Sequence, residues 1–162
     1  MRSTSKKGAA KKKIRRLKKL APLEIGWREW VSLPGLDVDA IKAKIDTGAK
    51  TTALHAFRIK EKVRKGVLYA EFHIQPLQRK KTPEIRCRAP IVDKRRIKSS
   101  NGAVENRIVI AAELQMADRL WPIEISLTNR DEMGFRLLIG RDALSRRAII
   151  HPGKSFLLGK KF

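Results

Sequence analysis

Ile41, Ala43 and Ile45 alternate with Lys42 and Lys44, the period-two signature of a strand with one buried face. Text of this kind recurs in short runs along the chain. Ile25, Trp27 and Trp30-Val31 lead into a turn at Leu33-Pro34-Gly35. Leu54 to Ile59 and Val67 to Ile74 read as a hairpin pair around Lys65-Gly66. Ile85 to Val92 is a further strand, and Pro90 predicts an edge position or a bend, because proline gives no N–H to a ladder. Ser99-Ser100-Asn101-Gly102 is a hairpin turn, since Asn-Gly accepts positive φ at low cost. Arg107 to Leu114 and Trp121 to Leu127 continue the meander. Ile149-Ile150 and Phe156 to Leu158 read as a closing hairpin over Pro152-Gly153, and only Arg141 to Arg147 has helical character. Many short strands with frequent turns predict an all-β domain, without internal repeat and without a second domain.

Charge narrows the partners. The 162 residues carry 38 Lys+Arg against 16 Asp+Glu, a formal net charge of +22 that points to anionic partners and is silent about fold. Residues 1–20 hold ten basic side chains and no acid, which leaves +12 on the remainder. Residues 1–22 are therefore expected to be a disordered basic arm, and residues 23–162 the folded domain. Weak nucleic-acid or ribosome contact is one expectation for residues 1–20, and plain solubility is the other. No aromatic side chain interleaves that run, which argues against a base-stacking platform there. Cys87 is the single cysteine, so no intrachain disulfide and no cysteine-based zinc knuckle can form, which fits a reducing, cytoplasmic compartment. No apolar run approaches the roughly 18 residues of a membrane span.

The segment that carries chemistry is Ile45-Asp46-Thr47-Gly48-Ala49. An apolar strand end delivers an Asp into a tight turn, which Thr47 can anchor through its hydroxyl and Gly48 lets close up. Alone, Asp-Thr-Gly is a common turn. The second segment, Phe135-Arg136-Leu137-Leu138-Ile139-Gly140-Arg141-Asp142-Ala143-Leu144, supplies an apolar-apolar-Gly strand end followed by a short helix.

Together the two segments resemble the retropepsin-like aspartic peptidases. The resemblance implies an acid-protease barrel, with one short helix near the C-terminus. It also implies that the Asp loop and the apolar-apolar-Gly strand build the support of an active site. A closer similarity rests on Lys44 to His55, the Ser99-Ser100-Asn101-Gly102 hairpin with Glu105 and Arg107, and Leu138-Ile139-Gly140-Arg141. These look like the small bacterial family filed as ATP-dependent zinc proteases, to which RimB-type proteins belong and which is linked to RimK-type ATP-grasp glutamate ligases. The similarity spans nearly all of residues 24–160. It implies Asp46, Thr47 and Gly48 as the catalytic loop, with Ala49, Ser99, Ser100, Asn101 and Gly102 contacting substrate. It further implies a RimK-type ligase or ribosome contact, within the pathway that modifies a ribosomal protein.

The residues fit that family's metal label poorly. His55, His73 and His151 are scattered, and none stands four residues from another as a His-Glu-x-x-His helix requires. No phosphate loop is present either, so neither metal nor cofactor is expected. An aspartic peptidase needs two carboxylates sharing a proton, and this chain has one Asp-Thr-Gly. The dyad therefore calls for Asp46 from each subunit of an isologous homodimer, with Phe156 to Phe162 expected as an interface strand. Ala49 withholds a hydroxyl donor from the carboxylate, which suits work near neutral pH. Lys94, Arg95, Arg96 and Lys98 on the hairpin suggest a flap over an acidic protein or peptide substrate. Arg141 is expected to serve structure and dimer contacts rather than catalysis. The competing reading is a non-catalytic basic binding protein for ribosome, RNA or a ligase.

Overall fold

The alternating apolar positions become the lining of a barrel. The computed structural model describes residues 20–99, 101–130 and 134–159, so nearly all of the basic arm, Ser100 and residues 160–162 lie outside the described residues. Ten strands follow in order: β1 (Leu23–Leu33), β2 (Val38–Asp46), β3 (Thr52–His55), β4 (Phe57–Arg64), β5 (Val67–Ile74), β6 (Ile85–Lys98), β7 (Val104–Met116), β8 (Arg119–Thr128), β9 (Leu137–Gly140) and β10 (Ala148–Ser155). Among the described residues a single short helix, α1 (Arg141–Leu144), sits between the last two, and a 3-10 turn covers Pro34–Leu36. No helix among the described residues is long and apolar enough to cross a membrane.

The sheet order is β10-β1-β2-β9-β3-β8-β7-β6-β5-β4, and a β1–β7 pairing at Ser32 and Gln115 closes six strands into a barrel. Ile25, Leu33, Ile41, Leu54, Leu114 and Ile139 are among the side chains fully withdrawn from water inside it. Each contributes about 2 kcal/mol of transfer free energy. This is the all-β, one-helix architecture the sequence predicts.

Several local expectations change. The hairpin around Lys65-Gly66 forms, with both residues at positive φ (51° and 77°), but it joins β4 to β5. The run Leu54–Ile59 is split at Ala56, because β3 pairs inside the barrel with β8 and β9 while β4 leaves to pair with β5. Pro90 has a ladder partner on one side only, as an edge position requires. It lies where β6 exchanges partners, pairing with Tyr69 of β5 just before Ile91 pairs with Ile110 of β7. The bend was legible; the second partner was not.

At the other end, Pro152-Gly153 makes no hairpin. β10 continues past it as an outer strand parallel to β1, with its register broken over Pro152 to Lys154, where proline costs no ladder bond. Gly26 permits the approach, since a Cβ there would stand 2.2 Å from the Lys154 carbonyl oxygen. The described part of the expected terminal strand, Phe156 to Gly159, is a turn on its own chain. The fully buried carboxylate of Glu29 accepts the backbone N–H groups of Leu157 (2.9 Å), Leu158 (3.1 Å) and Gly26 (2.6 Å).

Glu71 on β5 carries a pH signature. Lys62 (2.8 Å), Arg86 (3.1 Å) and Arg88 (3.0 Å) surround its nearly buried carboxylate. Hydrogen bonds from Lys62 and Arg86 hold its pKa down at about 2, against a desolvation effect of opposite sign. The unfolded chain binds the proton more readily, so the stability from Glu71 is fully present above the ordinary pKa of 4.5. It is lost as pH falls from there towards 2. Urea midpoints measured across this window should fall with pH, and Glu71→Gln should flatten that slope; an unchanged slope would contradict the assignment.

Candidate active site

Asp46 is the last residue of β2, and the reason it turns up where it does lies in β9. The two strands pair in parallel, with Ile45 opposite Ile139 and Asp46 opposite Gly140. The chain must leave the barrel at Asp46, and the loop that follows is tied to the end of β9 by main-chain bonds. Arg141 N–H donates to Ala49 O (2.9 Å), Asp142 N–H to Lys50 O (3.1 Å) and Ala49 N–H to Asp46 O (3.2 Å). Gly140 N–H donates to the hydroxyl of buried Thr52 (3.2 Å). Gly140 has to be glycine, because a Cβ would lie 2.7 Å from the Thr51 carbonyl carbon and 2.8 Å from Lys50 O. Trp121 holds α1 against β8 through an indole N–H donated to Ala143 O (2.9 Å).

The Asp46 side chain is half-buried, and Gly48 N–H donates to its Oδ1 at 3.1 Å. Thr47 is exposed at the crest of the loop. Arg141 extends back over that loop, donating to the carbonyls of Thr47 and Gly48 at 3.4 Å each. Arg141 is thus a positioning residue for the Asp46 loop of its own chain.

A cleft of about 680 Å³ opens over Asp46. Gly48, Ala49 and Leu138 line its floor, and Arg95 to Ser99 of β6 and the following turn line one wall. Of the hairpin residues assigned to substrate, Ser99 borders the cleft. Asn101 and Gly102 sit at the exposed tip, where Gly102 (φ 86°) donates to Ser99 O at 2.9 Å. Ser100 lies outside the described residues.

Sequence reasoning missed the opposite wall, made by Thr128 and Arg130. Thr128 ends β8 and Arg130 lies just beyond it, and the parallel pairing of β8 with β3 sets Thr128 beside His55. No local pattern announces this. Beneath the cleft, Glu105 joins β7 to β8 by accepting from Arg107 Nε (3.0 Å) and Thr128 Oγ1 (3.1 Å). The Ser126 hydroxyl donates on to Thr52 O (3.0 Å), so these groups and the Gly140 support form one connected framework.

Two electrostatic features stand out. Asp46 is the single carboxylate among the described lining residues, which also include Lys50, Arg96, Lys98 and Arg141. Arg95 is held rigidly, since Glu124 and Asp93 both bond it, which raises its pKa and depresses that of Asp93. Each histidine already has a partner. His55 Nδ1 accepts Arg130 N–H (3.1 Å), His73 meets Glu84 (2.8 Å) and His151 meets Glu24 (3.1 Å). No group of three His, Cys, Asp or Glu stands together among the described residues. Burial pushes the Cys87 thiol up to about 12, so it stays protonated.

Comparison with known proteins places this geometry. Residues 24–161 match a family model described as RimB-like, "Retropepsin-like aspartic endopeptidase RimB". A protein of Shewanella pealeana named probable alpha-L-glutamate ligase is 44% identical over 137 residues, 85% of this chain and 30% of that protein. A Desulfotalea psychrophila protein of the same name is 44% identical over 136 residues, 84% of this chain and 29% of its own length. The chain thus spans about 30% of the length of these relatives. A crystal structure of a Legionella pneumophila protein of unknown function (DUF785) superposes with a TM-score of 0.72 at 29% identity, covering 84% of this chain and 98% of that one.

Proposed function

The chain belongs to the RimB-like family of retropepsin-like aspartic endopeptidases, and from that premise we propose that it is a peptidase acting through Asp46, as a homodimer, on acidic protein or peptide segments. The observation that carries the reading is a rigidly supported Asp46 in a cleft with no second carboxylate among its described lining residues. Acid–base hydrolysis of an amide needs two such groups, and a twofold-related Asp46 supplies the other.

The chemistry then follows. Two carboxylates about 3 Å apart share one proton, because both cannot ionise cheaply. The ionised Asp46 takes a proton from water as its oxygen bonds to the scissile carbonyl carbon. The protonated partner donates to the carbonyl oxygen. The tetrahedral diol collapses as the departing nitrogen takes a proton, the C–N bond breaks and the dyad is reset. Gly48 N–H, bonded to Oδ1, fixes the orientation of the carboxylate.

Lys50, Arg96 and Lys98, for which no carboxylate partner is described, favour a substrate rich in Asp or Glu. Relatives named probable alpha-L-glutamate ligase contain a segment similar to this chain, which supports action alongside a glutamate ligase on a glutamate-bearing protein. The test is cleavage of a glutamate-rich peptide by the purified chain, followed by mass spectrometry beside its glutamine counterpart. Faster cleavage of the glutamate peptide is expected, and no cleavage of either would overturn the reading. Reversing charge with Arg96→Glu and Lys98→Glu should raise KM for the acidic peptide by about tenfold and leave kcat nearly unchanged. A selective loss of kcat would instead place these side chains in the chemical step.

A further inference from the structure

A second cleft, of about 620 Å³, shares no lining residue with the Asp46 site. Its walls come from β1, β2, the loop between β5 and β6, and the entrance to β9. Trp27 and Trp30 both face it, although residues three apart on an unbroken strand would point to opposite faces. The β1–β10 register is irregular at this point, where Gly26 and Arg28 pair with His151 and Ser155. Trp27 meets Phe135 edge-on at 6.0 Å, and Trp30 stacks on Phe156 at 6.4 Å.

Cations are threaded between these rings. The Arg28 guanidinium lies 4.7 Å from the Trp27 ring centre and 4.9 Å from that of Phe156. Lys42 lies 5.4 Å from Trp30 and 5.9 Å from Phe156. Exposed Arg79 and Lys80 bring two more positive charges to the rim. Their loop is pinned across the mouth by the Gln78 side-chain amide, which donates to Gly134 O. No carboxylate occurs among the described lining residues. None of the four cations has a carboxylate partner among the described residues.

We propose that this cleft binds single-stranded RNA, with bases stacking on the ring and guanidinium faces and phosphates meeting Arg79 and Lys80. The chemistry selects this occupant. An acidic peptide would use the cations and leave four half-buried rings without purpose. A duplex offers phosphates but keeps its bases stacked inside. Only an unpaired strand presents flat π-faces and negative charge together.

The experiment uses the full-length protein and a 12-nucleotide oligouridylate. Binding is followed by anisotropy of the labelled strand and by quenching of tryptophan fluorescence; Trp121, packed in the core, is not expected to respond. The single strand should quench, and a duplex of equal length should not. Trp30→Ala should weaken binding about tenfold. Arg79→Gln with Lys80→Gln, both on an exposed loop, should lower the slope of log affinity against log salt by about 1.4 and leave peptide cleavage intact. Asp46→Asn should bind the strand like the wild type, which separates this proposal from the peptidase reading. Wild-type affinity and salt slope in the Arg79/Lys80 variant would overturn the proposal. So would equal quenching by the duplex, or full competition by a glutamate peptide.

Discussion

Gly140→Ala should destabilise the protein by about 3 kcal/mol, because overpacking against main chain cannot be relieved by a rotamer change. The added methyl would meet the Thr51 carbonyl carbon at 2.7 Å and the Lys50 carbonyl oxygen and carbon at 2.8 and 2.9 Å. All three are backbone atoms of the segment behind Asp46. To make room, the loop must move off β9, lengthening the bonds from Arg141 N–H and Asp142 N–H that hold it. The melting temperature should fall by about 10 °C for a domain of this size. Cleavage should fall further than stability explains, since Asp46 moves with the loop. Gly153→Ala is the control, because a Cβ there meets nothing within 4 Å, and it should be nearly neutral in both measurements. Equal effects at the two glycines would show that the Asp46 loop does not depend on the close approach of β9.

Asp46→Asn carries the larger effect on activity. Asparagine keeps the oxygen that accepts Gly48 N–H, so the loop should retain its shape. What disappears is a group able to take and return a proton, and acid–base catalysis of this kind is worth up to about 10⁴-fold. Cleavage should therefore drop by about that factor or below detection, with an unchanged circular dichroism spectrum. If two carboxylates face each other in the assembled enzyme, removing their repulsion should also tighten the dimer. An asparagine variant that cleaves at the wild-type rate would remove Asp46 from the chemistry altogether.

The parts of the fold that sequence discloses are those governed by neighbours along the chain. The alternation of Ile41, Ala43 and Ile45 meets a barrel interior, and Lys65-Gly66 and Asn101-Gly102 turn where their backbone preferences say they should. Asp46 and Gly140 could be paired only through the resemblance to the retropepsin-like peptidases, since Asp-Thr-Gly alone is a common turn. What escaped was settled by partners distant in sequence. Pro90 marks the point where β6 passes from β5 to β7, an exchange no local pattern announces. Pro152-Gly153 looks like a turn until β1, with Gly26 open to it, takes β10 alongside. Phe156 becomes part of the body by stacking on Trp30, while Glu29 collects the two N–H groups that follow. Thr128 and Arg130 reach the Asp46 cleft only because β3 and β8 run in parallel.

The central claim, that two chains share one catalytic dyad, is tested most directly by titrating wild-type protein with its Asp46→Asn variant. Total protein is held constant, subunits are allowed to exchange, and cleavage of the glutamate peptide is measured. If each working site needs an Asp46 from both chains, activity follows the square of the wild-type fraction and an equal mixture retains about one quarter. An equal mixture that retains half, with activity linear in the wild-type fraction, would mean that each chain works alone and would contradict the account.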